Sequence, residues 1–174
     1  LDLDLATPAD GLVAALAGID RPLRVSVKGK GDWQDWKGRI AADLDGTQLA
    51  RLSLSARNGL FHLKGDTRPD RPMEGPPARL LGPVLDLDLS ARLARRVADL
   101  SGELSSEGLR ATVAGKADLG GSRFDGLRLG IDLLRPERLL DGLQAQAVRA
   151  DLELEGAFAA PEIGYRLTAR QAAL

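Results

Sequence analysis

The 174-residue sequence predicts an all-β fold, mainly antiparallel, with a few short helices. Three observations carry this prediction. Apolar residues recur at every second position in run after run, glycine-containing turn dipeptides separate the runs at short spacing, and aromatics make up only 3% of a chain that is 44% hydrophobic. Alternation at period two gives each strand one apolar face, while Asn-Gly and Asp-Gly supply the positive φ angles of tight hairpins. The face so built is aliphatic, made of Leu, Val, Ile and Ala.

The first run is LDLDL, in which Leu1, Leu3 and Leu5 alternate with Asp2 and Asp4. Leu23, Val25 and Val27 follow, then Trp36, Gly38, Ile40, Ala42 and Leu44, then Leu52, Leu54 and Ala56. LDLDL returns at Leu85, Leu87 and Leu89 and continues to Ala91. Later runs are Leu109 to Leu119, Leu127 to Leu133, Leu152 to Phe158 and Ile163 to Ala169. Leucine alone prefers helix, so the alternation and the turn chemistry specify strand here. Roughly ten strands are expected on this pattern.

Turns are expected at Asp45-Gly46, Asn58-Gly59, Ser101-Gly102, Glu107-Gly108, Gly120-Gly121 and Asp125-Gly126, so the sheet should be a series of hairpins. Three segments, TPADGLVAALAG, GPPARLLGP and RPERLLDGL, place Pro near the start and Gly near the end of a short helical stretch at the sheet margin. The strongest irregular loop is Asp66 to Pro77, the best candidate for an internal break in a chain otherwise read as one repetitive segment, 1–174. Ala-Asp-Leu recurs at 42–44, 98–100, 117–119 and 150–152, too unevenly for a propeller or a regular β-helix. That spacing suits a meander extended by similar hairpins.

Composition narrows the function classes. Basic and acidic residues number 24 and 25, for a net charge of -1, with no basic block of the kind that tracks a nucleic acid, so nucleic acid is not an expected partner. Nineteen arginines against five lysines are scattered along the chain and read as a compositional bias. Cysteine is absent, which excludes disulfides, thiol nucleophiles and zinc knuckles. GLVAALAGI is about the longest apolar run, well short of the ~18 residues that cross a bilayer. The first residue is Leu, so the chain is expected to be a piece of a longer protein.

Few residues suggest chemistry. Asp2/Asp4 and Asp86/Asp88 put two carboxylates on one strand face about 7 Å apart, a spacing open to an inverting glycosidase or a calcium ion. They read far better as the solvated side of an amphipathic strand. His62 is the only histidine and has no nucleophile motif beside it, so it reads as a surface or edge-strand residue. GKGDWQ lacks the third glycine of a dinucleotide-binding turn, and LGGSRFDGL departs from the calcium nonapeptide at Arg123. No catalytic residue, metal or cofactor is expected. Trp36 is in phase with Gly38 and Ile40 and should face the apolar side, with Trp33 capping the same edge.

The Leu/Asp strands, together with VKGKGDWQDWKGRIAADL, ARLSLSARNGLFHLKGDTRP, GPPARLLG and GLRATVAGKADLGG, resemble the TamB family of translocation and assembly module proteins, within the AsmA-like group of bridge-like lipid transfer proteins. The resemblance runs over nearly the whole chain and rests on repetitive patterns. It implies a curled sheet, an elongated β-taco with an apolar interior groove. It implies a periplasmic location in a Gram-negative parent anchored to the inner membrane, and a parent that meets a TamA-like outer-membrane barrel of the BamA type. The implied function is conduction of phospholipids between inner and outer membranes, with phospholipid acyl chains as the partner. The alternative it implies is a scaffold for assembly of outer-membrane proteins such as autotransporters, offering strand edges by β-augmentation.

On this reading the lipid-facing groove residues are Leu3, Leu5, Val25, Val27, Trp36, Ile40, Leu44, Leu52, Leu54, Leu85, Leu87, Leu89, Val113, Leu129, Ile131, Leu133, Leu152, Leu154, Ile163 and Leu167. A closed sandwich whose leucines pack on one another is the third reading. Periodicity does not separate it from an open trough, because both need one apolar face per strand.

Overall fold

The computed structural model describes residues 2–7, 22–32, 34–139 and 144–173, with side chains described over 22–32, 34–139 and 147–170. The strands are β1 (Asp2–Thr7), β2 (Leu23–Gly31), β3 (Asp35–Leu44), β4 (Thr47–Arg57), β5 (Leu60–Thr67), β6 (Leu85–Ala94), β7 (Val97–Ser105), β8 (Leu109–Asp118), β9 (Arg123–Leu133), β10 (Gln144–Ala157) and β11 (Glu162–Ala173). One helix, α1 (Pro76–Leu81), and one 3-10 turn, Pro136–Arg138, complete the described elements.

All eleven strands form a single antiparallel sheet in strict sequence order, β1 to β11, curled but not closed. This is the mainly antiparallel all-β fold expected from the alternation, in the curled, β-taco-like form that the resemblance implies, and the described strands form one sheet and not a closed two-sheet sandwich. Among the described residues no second layer covers the apolar face. The chain exposes 11439 Å², whereas a compact monomer of its 18.5 kDa exposes about 8,200 Å². Among the described residues only seven hydrophobic side chains are buried, and none is below 2% exposed.

The hairpins use the expected chemistry in part. Asp45-Gly46 and Asn58-Gly59 both adopt positive φ at their two central positions, as a type I′ turn requires. The β6–β7 hairpin turns instead through Arg95 and Arg96, at φ 49° and 66°, which no turn signal in the sequence marks. Ser101-Gly102 is not a turn: it lies inside β7, where Gly102 pairs with Leu89 on one side and Val113 on the other. Asp125-Gly126 lies inside β9, where Gly115 and Gly126, both at positive φ, form a bulge that shifts the β8–β9 register. β7 itself was absent from the expected runs, and β5 shows there only as the strand-like GLFHLKG.

Left-handed backbone is costly for arginine, and relief of it gives a first expected outcome. Arg95→Asn with Arg96→Gly should raise the urea midpoint by the equivalent of about 1 kcal/mol with an unchanged slope. No gain would mean that the arginines are held there by contacts that offset the strain.

Connections alternate between the two long margins of a meander. The β3–β4, β5–β6, β7–β8 and β9–β10 connections therefore share one margin, and α1 and the 3-10 turn both sit there, in contact. Pro at the first turn and Gly82 at φ 69° bound α1, as expected for GPPARLLGP. Six residues are too few for an independent helix, and Leu80, 8% exposed, anchors it. The Leu80 backbone lies directly on Gly108 in the β7–β8 turn, and Arg138 Nη2 donates to Glu107 Oε2 at 3.0 Å. Leu23, Leu44, Pro69 and Pro136 are buried along this margin.

The opposite margin carries only short hairpins, knitted by backbone bonds between successive turns: Asn58 N–H to Gln34 C=O, Leu93 N–H to Gly59 C=O, Leu119 N–H to Arg96 C=O and Phe158 N–H to Ser122 C=O. The Phe124 and Phe158 rings pack there at 4.7 Å. The loop at 66–77 joins β5 and β6, which pair from Leu60↔Arg92 to Thr67↔Leu85, so the sheet runs through uninterrupted. The helical expectations for TPADGLVAALAG and for the end of RPERLLDGL fall outside the described residues, as does Trp33.

Candidate functional site

The apolar face is built row by row, because directly paired residues in an antiparallel sheet point the same way. One row crosses all eleven strands: Leu3, Val27, Ile40, Leu52, Gly65, Leu87, Leu104, Ala111, Ile131, Ala150 and Leu167 are successive partners. The row beside it runs Gly38, Leu54, Leu63, Leu89, Gly102, Val113, Leu129, Leu152 and Tyr165. Toward the helical margin lie Val25, Ala42, Ala50, Thr67 and Leu85, with Leu133 opposite Leu109. Toward the other lie Trp36, Ala56, Phe61, Ala91 and Leu100, with Leu154 between Leu127 and Ile163. No charged residue interrupts these rows.

Thus the structure brings the expected groove residues onto one continuous surface. Leu3 and Leu5 join it by backbone register, opposite Val27 and Val25, their side chains lying outside the described residues. Leu44 is a correction: at 2% exposed it packs against Leu23 in the margin and does not line an open surface. Ile163 and Leu167 are 57% and 68% exposed on β11, whereas Leu52, Leu54, Leu87, Leu89, Leu129 and Leu152 are half-buried by their neighbours. Phe61, Leu63, Leu100 and Leu104 belong to the same surface and were missed, because β5 and β7 were not recognised as full strands.

Glycines shape this floor. A Cβ at Gly29 or Gly38 would collide with the Trp36 ring, and one at Gly102 would meet Leu89 Cδ2 at 2.6 Å. Trp36 therefore lies flat across Gly29 and Gly38, and Leu89 leans over Gly102. The large side chains are laid down on the sheet and the floor is smoothed. This places Trp36 on the apolar side as expected and adds a reason for the flanking glycines: an aromatic covers backbone that they leave bare.

The other face is mainly polar, with Ala41, Leu60 and Ala114 among its few apolar side chains. Asp86 and Asp88 lie there, with His62 and Lys64 beside Asp88. Asp88 Oδ1 is 2.6 Å from His62 Nε2, and Lys64 Nζ donates to Oδ2 at 2.9 Å. The paired carboxylates are thus part of a solvent-facing charge cluster, and His62 stands on a central strand, not at an edge. Arg149 is clamped between Asp151 and Asp132, which together raise its pKa.

The Asp88 cluster sets a pH dependence. The hydrogen bond from Lys64, then that to His62, holds the Asp88 carboxyl below its ordinary 3.8. Its contribution to stability is complete above that value and fades as pH falls through the lowered one. Asp88 in turn holds the Lys64 ammonium above its ordinary 10.5, so that contribution is complete below 10.5 and fades as pH rises through the raised value. Asp88→Asn should flatten both flanks of a urea-midpoint against pH curve, by a small amount because the groups are exposed. Identical acid flanks in the two proteins would contradict this assignment.

Comparison with known proteins finds no match: no family model, no curated protein and no solved structure matches this chain.

Proposed function

We propose that this chain is a non-enzymatic segment of an envelope-spanning periplasmic protein, its apolar groove conducting phospholipids between the inner and outer membranes. The observation that carries the reading is the row of uncharged positions, leucine, valine, isoleucine and alanine around Gly65, that crosses β1 to β11 on a face with no second layer among the described residues. Soluble monomers rarely expose contiguous apolar patches beyond a few hundred Å², so such a face calls for an occupant. Each CH₂ withdrawn from water contributes about 0.8 kcal/mol, and a chain of methylenes is matched by a lining dominated by Leu, Val, Ile and Ala. An assembly scaffold working by β-augmentation would use backbone at strand edges and would place no demand on the character of this face. The one-sidedness favours the groove.

The test is lipid capture. The purified chain, incubated with a fluorescent phospholipid labelled on its acyl chain, should carry the label through a native gel. A variant with Leu54→Asp and Leu129→Asp should remain folded by circular dichroism and carry at least tenfold less. Folded wild-type protein that migrates without label would overturn the reading.

A further inference from the structure

The polar face is not uniform in charge. On β2 to β4 it presents seven basic residues and only two acidic ones, Asp35 and Asp43. Asp35 is bound by Arg57 at 2.8 Å, and Asp43 is the direct partner of Arg24. Lys28, Lys30, Lys37 and Arg39 are exposed, and no ion pair engages them among the residues whose side chains are described; on β1 the register sets Asp2 opposite Lys28, which leaves the face of β1 to β4 with seven basic residues against the four acidic ones Asp2, Asp4, Asp35 and Asp43. They are also arranged against one another: Lys28 is opposite Arg39, and Lys30 is opposite Lys37. Like charges in direct cross-strand register destabilise a sheet. Here two such pairs stand side by side, about 7 Å apart along the strands.

We propose that this four-cation array docks on the anionic headgroup layer of a phospholipid surface. The occupant follows from what the array holds and what it lacks. Its cations are matched by phosphate-bearing headgroups, each Lys or Arg near such a surface adding attraction. Among the described residues only Ser26, Ala41, Ser53 and backbone stand between them, with none of the aromatic anchors that a protein interface gathers at its centre. The array lies on the sheet face opposite the groove, so the inference stands independently of the groove's contents.

The experiment is co-sedimentation of the full chain with vesicles of phosphatidylcholine alone and with vesicles one-third phosphatidylglycerol. Lys37→Glu with Arg39→Glu turns both like-charge pairs into opposite-charge pairs and faces only Ser55 and Ser53 on β4, so folding is not placed at risk. The expected result is binding to the anionic vesicles that is weakened by salt, reduced more than tenfold in the double variant and unchanged by Arg170→Glu, a charge reversal on the distant strand β11. Absence of binding to anionic vesicles, equal binding to both vesicle types, double-variant binding like wild type, or an equal loss in Arg170→Glu would each overturn the proposal.

Discussion

Replacing Leu87 by Asp should empty the groove while leaving the sheet folded. Leu87 sits near the middle of the eleven-strand row, between Gly65 and Leu104, half-buried and with no second layer above it. A carboxylate there costs little in folding, since it can reach solvent, and a loss within about 2 kcal/mol is expected. To a bound acyl chain it is prohibitive. Withdrawing a charge from water without a partner costs several kcal/mol, far more than the methylene contacts it interrupts. Lipid bound by the purified chain should fall at least tenfold, whereas Asp88→Asn, one residue along on the other face, should leave it unchanged. Equal retention in both variants would place the lipid elsewhere.

The second large effect is on stability. A Cβ at Gly108 would stand 1.9 Å from the Leu80 carbonyl oxygen, a clash with backbone that no rotamer change relieves. Gly108→Ala should therefore undock α1 from the β7–β8 turn and cost about 3 kcal/mol. In a chain of this size that lowers Tm by roughly 6–12 °C. Leu80→Ala removes the same contact from the other side, at about 2–3 kcal/mol. The double variant should lose clearly less than the two separate losses combined, because each already breaks the shared interface. Full additivity would show that α1 and the turn are energetically separate.

How far the fold was legible depends on which physical signal each element rests on. Period two marks the strands where leucine alternates with polar residues, as in LDLDL, and the face assignment of Val27, Ile40, Leu52 and Leu129 follows from it directly. It failed at β7, where the small residues of VADLSGELS and the dipeptide Ser101-Gly102 read as a turn. That glycine serves instead as bare floor beneath Leu89. Asp125-Gly126 misled for a related reason, since a bulge and a hairpin both recruit glycine at positive φ. The Arg95-Arg96 turn carries no local signature at all; pairing on either side imposes it. Whether the apolar faces close on one another was beyond periodicity, because that depends on how the strands assemble, and here the described strands join in sequential order into one sheet with no second sheet facing it.

The central claim is that the uncovered face holds lipid tails, and the alternation itself offers its most direct measurement. A photo-crosslinking amino acid is placed at Leu87 and, separately, at Asp88, in the full-length protein in cells, and phospholipid adducts are sought after illumination. The account predicts adducts at position 87 and none at 88, whose side chains point to opposite faces of β6. Folded protein with no adduct at 87, or with equal adducts at both positions, would contradict it.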